Sequence, residues 1–399
     1  MHAPKGLLWT SVLLLCLAII LPFQAALAQD EPAAGQNHFL YLPALRGGIQ
    51  QQDNSSAVLA TAAVTDEEQE QTAAFWTRER MAGATLLDVL VVEDAQGSAA
   101  ERDSGRPGLK GAVAGRLPDP QAQAQAQALY AAEWARMDAD QAVLEGSSPL
   151  MGGAGADQSD AYASAPPFTS YYVNDNASTW TSFPWMTMGR LFFRIPGLSG
   201  EYACTGAVAY GRAVWTAGHC VYTTGRGWSY SMYFVPAYRN AAFPYGSFTV
   251  KSRTALNEWV TNANLAYDIG MVAVNDKSGM KLSQWVGSVG FMYNQSATQL
   301  FHAFGYPSNY SNGRYLVTCA TTTYTRDPSV GPDPIGIGCD MGSGSSGGPW
   351  LVGYAPFKGG LTNYINSVVS YSYAGKPLEI YGPYFGDEAR LLYDWGKTQ

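Results

Sequence analysis

Apolar and polar positions divide the chain into three stretches of different pattern. The first holds an apolar run, Leu7 to Leu21, broken only by Thr10 and Ser11. Lys5 precedes it and Ala26-Leu27-Ala28 follows, which gives the charged start, apolar core and small-residue site of a secretory signal. A membrane anchor is the competing reading, but the run falls short of the roughly 20 apolar residues that a span needs. From 29 to 166 the pattern is polar and Ala-rich. Within it Asp119 and Pro120 form a helix start, and Tyr130, Trp134 and Met137 follow at helical spacing. Gly152 to Pro167, full of Gly, Ala, Ser and Asp, reads as a linker.

The third stretch is built from short apolar runs separated by turn residues. Met186–Ile195, Ala203–Tyr210, Met232–Pro236, Ile269–Val274, Gln299–Phe304, Tyr315–Tyr324 and Ser367–Tyr373 are the clearest. Many short strands at modest spacing predict an all-β sandwich or a pair of barrels. Near the end, Ala389, Leu391, Leu392 and Trp395 form an apolar stripe that predicts a helix over Asp387–Trp395.

Charge sharpens the division near residue 165. Residues 29–166 carry 20 Asp and Glu against 8 Lys and Arg, a net of −12, whereas 167–399 carry 12 against 15, a net of +3. The expected organisation is a signal peptide over 1–28, an acidic prosegment with its linker over 29–166, and a β-rich domain over 167–399. The opposite charges favour contact between the last two, so the prosegment is expected to inhibit that domain or assist its folding. A solvated spacer is the alternative. The whole chain has a net charge of −8, which argues against nucleic acid as a partner.

Cys16 falls in the signal, leaving Cys204, Cys220, Cys319 and Cys339. An even number in an exported protein suggests two disulfides, with three possible connectivities. Zinc would want close CxxC-type pairs or HExxH, and neither occurs, so no metal is expected.

Three short motifs carry the candidate chemistry. Gly344-Ser345-Ser346-Gly347-Gly348-Pro349 suits an exposed serine nucleophile on a tight turn, with the N–H groups of Gly344 and Ser346 facing a developing oxyanion. His219, in Thr216-Ala217-Gly218-His219-Cys220, supplies an imidazole base. His302, the other histidine of this stretch, is flanked by apolar residues and reads as a strand position. Asp268 starts an apolar run and suits the carboxylate that fixes a histidine tautomer. The nucleophile motif also fits the α/β-hydrolase elbow, which needs a histidine after the serine, and none follows Ser346. The order His219, Asp268, Ser346 is that of the chymotrypsin group.

Taken together, Cys204-Thr205-Gly206, Thr216 to Cys220, Asp268-Ile269-Gly270 and Gly344 to Pro349 resemble chymotrypsin-like serine peptidases. The pattern is similar to the secreted bacterial branch that includes glutamyl endopeptidases. The resemblance implies two antiparallel six-stranded barrels, with a C-terminal helix, after a partly helical or disordered prosegment. It implies Ser346 as nucleophile, His219 as base and acid, Asp268 as orienting carboxylate, and the pairs Cys204–Cys220 and Cys319–Cys339. Asp340, Ser370 and Tyr371 are the implied substrate-binding residues. Asp340 would sit at the base of a pocket for Arg or Lys, or else brace the nucleophile loop.

Two departures from the family stand out. The position before the nucleophile is Ser345, where animal digestive members carry an Asp that pairs with a new N-terminus. Ser367 to Tyr371 contains no histidine, so specificity for glutamate is not implied. The expected protein is a secreted, extracellular serine endopeptidase that needs no cofactor. It would be monomeric, bind protein or peptide substrates and its own prosegment, and leave the membrane once the signal is removed. An esterase with the same triad and a non-catalytic binding protein on the same fold are the alternatives.

Overall fold

The computed structural model describes residues 59–92, 109–136, 166–173, 179–332 and 334–399. The signal, Met137 and most of the linker lie outside these residues. None of the described helices is long and apolar enough to cross a membrane.

Six antiparallel strands close the first barrel: Met188–Arg194, Tyr202–Tyr210, Ala213–Thr216, Tyr230–Pro236, Phe248–Leu256 and Gly270–Val274. The strand Phe248–Leu256 pairs with both Tyr230–Pro236 and Gly270–Val274, and this completes the ring. The alternation expected of a half-buried strand is absent here. Met188–Phe193 and Ala213–Thr216 are buried throughout, because other elements cover their outer faces.

The second barrel pairs Leu300–Gly305 with Val317–Arg326, which pairs in turn with Ile335–Gly338 and then Glu379–Gly382. Tyr371–Tyr373 continues the circuit. After a break at Val369 and Ser370 it leads back through Tyr364–Val368 and Pro349–Val352 to the first strand. Phe168–Tyr172 lines up outside Val317–Arg326, so the residues just after Pro166 already belong to this barrel.

The C-terminal helix spans Asp387–Lys397 and buries Ala389, Leu392, Tyr393 and Gly396. Leu391, counted in the sequence stripe, is exposed, and Tyr393 takes its place in the three- and four-residue period.

The acidic segment contains more sheet than its composition predicts. Its helix Pro120–Leu129 is capped by Asp119, which accepts from Gln121 N at 2.8 Å, and buries Ala122 and Ala126. Helices Asp66–Phe75 and Arg78–Gly83 are capped in the same way by Thr65 and Thr77. Four short strands join the barrels. Leu59–Ala63 extends the first barrel beside Phe248–Leu256, and Thr85–Leu86 lies beside Tyr202–Ala203. Leu90–Val92 lies beside Tyr371–Tyr373, and Gly111–Val113 beside Phe291–Tyr293. Side chains reinforce this docking. Trp76 Nε1 donates to Ser231 O at 2.6 Å, and Arg253 meets Glu68 at 3.2 Å.

Candidate active site

His219 lies on a four-residue helix, Gly218–Val221, directly after the strand Ala213–Thr216. The Cys204–Cys220 disulfide ties this helix to the strand Tyr202–Tyr210. Only glycine fits at 218, since a Cβ there would lie 2.7 Å from the Trp259 ring and 2.9 Å from Asp268 Oδ1. That close approach is what lets the carboxylate reach the helix.

Asp268 follows a single turn, Leu265–Tyr267, capped by the Asn264 side chain, and is fully buried. Its carboxylate accepts three bonds. Oδ1 takes His219 N at 2.7 Å, and Oδ2 takes His219 Nδ1 at 2.7 Å and Ser370 Oγ at 2.5 Å. A buried carboxylate that accepts from Nδ1 leaves the proton there and makes Nε2 the basic nitrogen. Nε2 is itself buried and has no hydrogen-bond partner among the described residues.

The nucleophile loop turns at Gly344, whose φ of 89° is a left-handed conformation that glycine tolerates. Thr205 holds the loop from the other barrel: its Oγ1 donates to Gly344 O at 2.8 Å, and its N donates to Ser346 O at 2.8 Å. Ser345 points inward and donates to Gly342 O at 2.6 Å. Ser346 is buried because residues 87 and 88 lie over it. Its Oγ donates to Asp88 O at 3.4 Å, while Gly344 N donates to Leu87 O at 2.7 Å.

The remaining residues singled out from the sequence have different surroundings. Asp340 accepts from Ser170 Oγ and from Tyr310 OH, each at 2.6 Å, so both carboxylate oxygens are engaged by the barrel's own hydroxyls. Ser370 turns its side chain to Asp268, and its carbonyl accepts from Leu90 N at 3.3 Å. Tyr371 stacks on Tyr381 and donates to Asp327 at 2.6 Å. His302 sits with its ring 4.3 Å from that of Tyr354, and burial pushes its imidazole pKa down. The second disulfide joins Cys319 and Cys339. Among the described residues, both groupings close enough to share a metal ion include a disulfide, whose oxidised sulfurs offer no thiolate.

Sequence reasoning missed Asp327 and residues 87–88; it named Ser370 for substrate binding and Thr205 within a motif, but not the bond of Ser370 to Asp268 or that of Thr205 to Gly344. Asp327 is buried and accepts from both Tyr371 and Tyr373. Burial first, and the Asp327 carboxylate after it, hold both phenols above their usual pKa, so they remain donors. The signal for residues 87–88 was present in the apolar run Leu86-Leu87-Asp88-Val89-Leu90-Val91-Val92. That run has strand composition but names no partner.

An extracellular metalloprotease of Bacillus subtilis (strain 168) is 31% identical over 110 residues, 28% of this chain. The match spans about a third of that relative's length, 35%. Among solved structures, protease Anisep from Arthrobacter nicotinovorans is 34% identical, with a TM-score of 0.48 over 54% of this chain and 96% of its own. A thermostable serine protease, AL20, from an extremophilic microorganism is 30% identical, with a TM-score of 0.49 over 54% and 98%. The Trypsin family model matches residues 172–380, more than half of the chain and the whole span from His219 through Ser346. The chain therefore belongs to the trypsin family of chymotrypsin-like serine peptidases.

Proposed function

We propose that the protein is a secreted serine endopeptidase that hydrolyses peptide bonds through an acyl-enzyme. His219 Nε2 takes the proton from Ser346 Oγ, which attacks the scissile carbonyl. The N–H groups of Gly344 and Ser346 stabilise the oxyanion. His219 then gives its proton to the leaving amine, and water releases the acyl group by the reverse sequence. Asp268 keeps the proton on Nδ1 and stabilises the imidazolium. The observation that carries this reading is the double contact of Asp268 with His219, through both main chain and ring, at 2.7 Å each.

Two disulfides suit an oxidising compartment and so favour action outside the cytosol. Residues 29–166 act as a prosegment, and activation requires its removal. Phe168–Tyr172 is part of the second barrel, so the activating cut falls before Phe168. Asp340 braces the nucleophile loop, as its two short bonds to Ser170 and Tyr310 favour.

The test is direct. The cut protein should bind a fluorophosphonate at Ser346 and digest casein. Labelling without casein cleavage would make it an esterase, and no labelling would make it a binding protein. N-terminal sequencing of the secreted form fixes the cut.

A further inference from the structure

Residues 84–92 cross the nucleophile loop and touch both barrels, through the short strands Thr85–Leu86 and Leu90–Val92 and the stretch between them. On one side Thr85 N and Leu87 N donate to Glu201 O and Ala203 O, each at 2.9 Å. In the middle Leu87 O accepts from Gly344 N, Asp88 O accepts from Ser346 Oγ, and Ser343 Oγ donates to Asp88 Oδ1. On the other side Leu90 N donates to Ser370 O at 3.3 Å, and Val92 O accepts from Ala374 N at 3.1 Å. Val89 and Leu90 are almost fully buried.

The direction of this segment is informative. A substrate's acyl half is its N-terminal half, and its amine half is C-terminal. His219 protonates the leaving amine, so the amine half lies on the side of His219. The Cys204–Cys220 disulfide ties that side to the strand Tyr202–Tyr210. The acyl half then lies along Tyr371–Tyr373. Residues 84–92 run the other way, with Thr85–Leu86 on Tyr202–Ala203 and Leu90–Val92 on Tyr371–Tyr373.

Resting on the peptidase reading, we propose that the substrate cleft binds residues 84–92 backwards, as a peptide strand that fills the oxyanion hole and cannot be cut. The polarity explains the resistance. The amide nitrogen that follows the Leu87 carbonyl belongs to Asp88 and leads toward Tyr371–Tyr373, the side of the acyl half, not toward Tyr202–Ala203, the side of the leaving amine. If Ser346 Oγ added to the Leu87 carbonyl, no proton would reach that nitrogen. The new C–O bond would break again and the amide would reform. Main-chain bonds on both sides supply affinity without demanding a particular side chain at the nucleophile. The docked strands Leu59–Ala63 and Gly111–Val113 hold the segment at high local concentration.

Two measurements test polarity and occlusion separately. Polarity is read without catalysis, in the full chain carrying Ser346→Ala. Val91→Cys with Ser372→Cys should be bridged by dibromobimane, and Leu86→Cys with Ser372→Cys should not. The opposite yields would give the substrate direction and overturn the proposal; absence of both bridges would overturn the docking. Occlusion is read in the uncut chain with Ser346 intact, by the rate of fluorophosphonate labelling. Leu90→Pro, which removes the donor to Ser370 O, should speed labelling at least about tenfold, the equivalent of one lost hydrogen bond. Peptide mapping of both disulfides in the same sample confirms its folding. Equal rates in folded protein would overturn the occlusion. If the 91–372 bridge forms but no form of the chain is ever labelled, the peptidase reading fails and the reversed docking stands.

Discussion

Ser370 Oγ lies 2.5 Å from Asp268 Oδ2, so the carboxylate that holds His219 is held in turn by a hydroxyl from the second barrel. The bond comes from the break between Tyr364–Val368 and Tyr371–Tyr373, and it locks the base to the cleft wall. Ser370→Ala removes one donor from a buried carboxylate and strengthens its field at the imidazole. The acid limb of the kcat/KM profile should move to higher pH, and kcat/KM should fall about tenfold, the cost of roughly one such hydrogen bond. An unmoved limb would mean that Ser370 does not tune His219.

Substitution within the triad should be far more damaging. Ser346→Ala and His219→Ala should leave only about 10³ to 10⁴ of rate enhancement over water, from binding and the oxyanion donors. Asp268→Asn, which disturbs the histidine tautomer, should cost about 10⁴ in kcat. Turnover of a peptide substrate by the cut enzyme measures all three. Near-normal turnover by Ser346→Ala would place the nucleophile elsewhere.

Asp340 offers a test of specificity. Asp340→Ala removes the hydrogen bonds that Ser170 and Tyr310 donate to a carboxylate, each worth about 1.5–3 kcal/mol. Thermal unfolding should show that loss. A peptide library should show the same preference at the residue before the cut, with lower overall activity. Collapse of a preference for Arg or Lys in this variant would make Asp340 the pocket's counter-charge instead.

Lys277 gives a dependence on pH. It packs 4.5 Å from the centre of the Phe248 ring and 5.4 Å from that of Tyr130, and burial pushes its pKa down to about 8. The unfolded chain keeps that proton until about 10.4. Between the two values the unfolded state binds more protons, so stability rises with pH, by up to about 2 kcal/mol between pH 8 and 9.5. Above about 10 the sign reverses. There the unfolded chain ionises its phenols, while burial keeps Tyr306 and Tyr371 protonated. Urea midpoints of the uncut chain should rise over pH 8 to 9.5, and Lys277→Met should flatten that rise. A slope unchanged by the substitution would assign the effect to another group.

Local signals explain what the sequence revealed. Gly344 to Pro349, Thr216 to Cys220 and Asp268 each carry their own turn chemistry, so they could be found without knowing what lay opposite. The Asp119–Pro120 helix start was legible for the same reason. The contacts of Ser370 with Asp268 and of Thr205 with Gly344 were not, because a hydroxyl has no signature of its partner until that partner is placed beside it. The strand Leu90–Val92 was not foreseen in the acidic segment, and its pairing with Tyr371–Tyr373, across most of the chain, leaves no local trace. Leu391 misled because an exposed leucine next to the buried face shares the face's composition.

The strand Phe168–Tyr172 sets a temporal problem for the chain. It belongs to the second barrel, yet its partner Val317–Arg326 emerges only after the whole first barrel, and Ser170 meets Cys319 across 149 residues. Pairings that remote slow a chain's search for its native state and leave strand edges open while it proceeds. Residues 59–136, synthesised earlier, offer Leu59–Ala63 to one barrel and Gly111–Val113 to the other, a template that shortens the search. Under the proposed activation, cutting this template away after use removes the return path. The lifetime of the trimmed protease is then set by how slowly it opens, not by how readily it could refold.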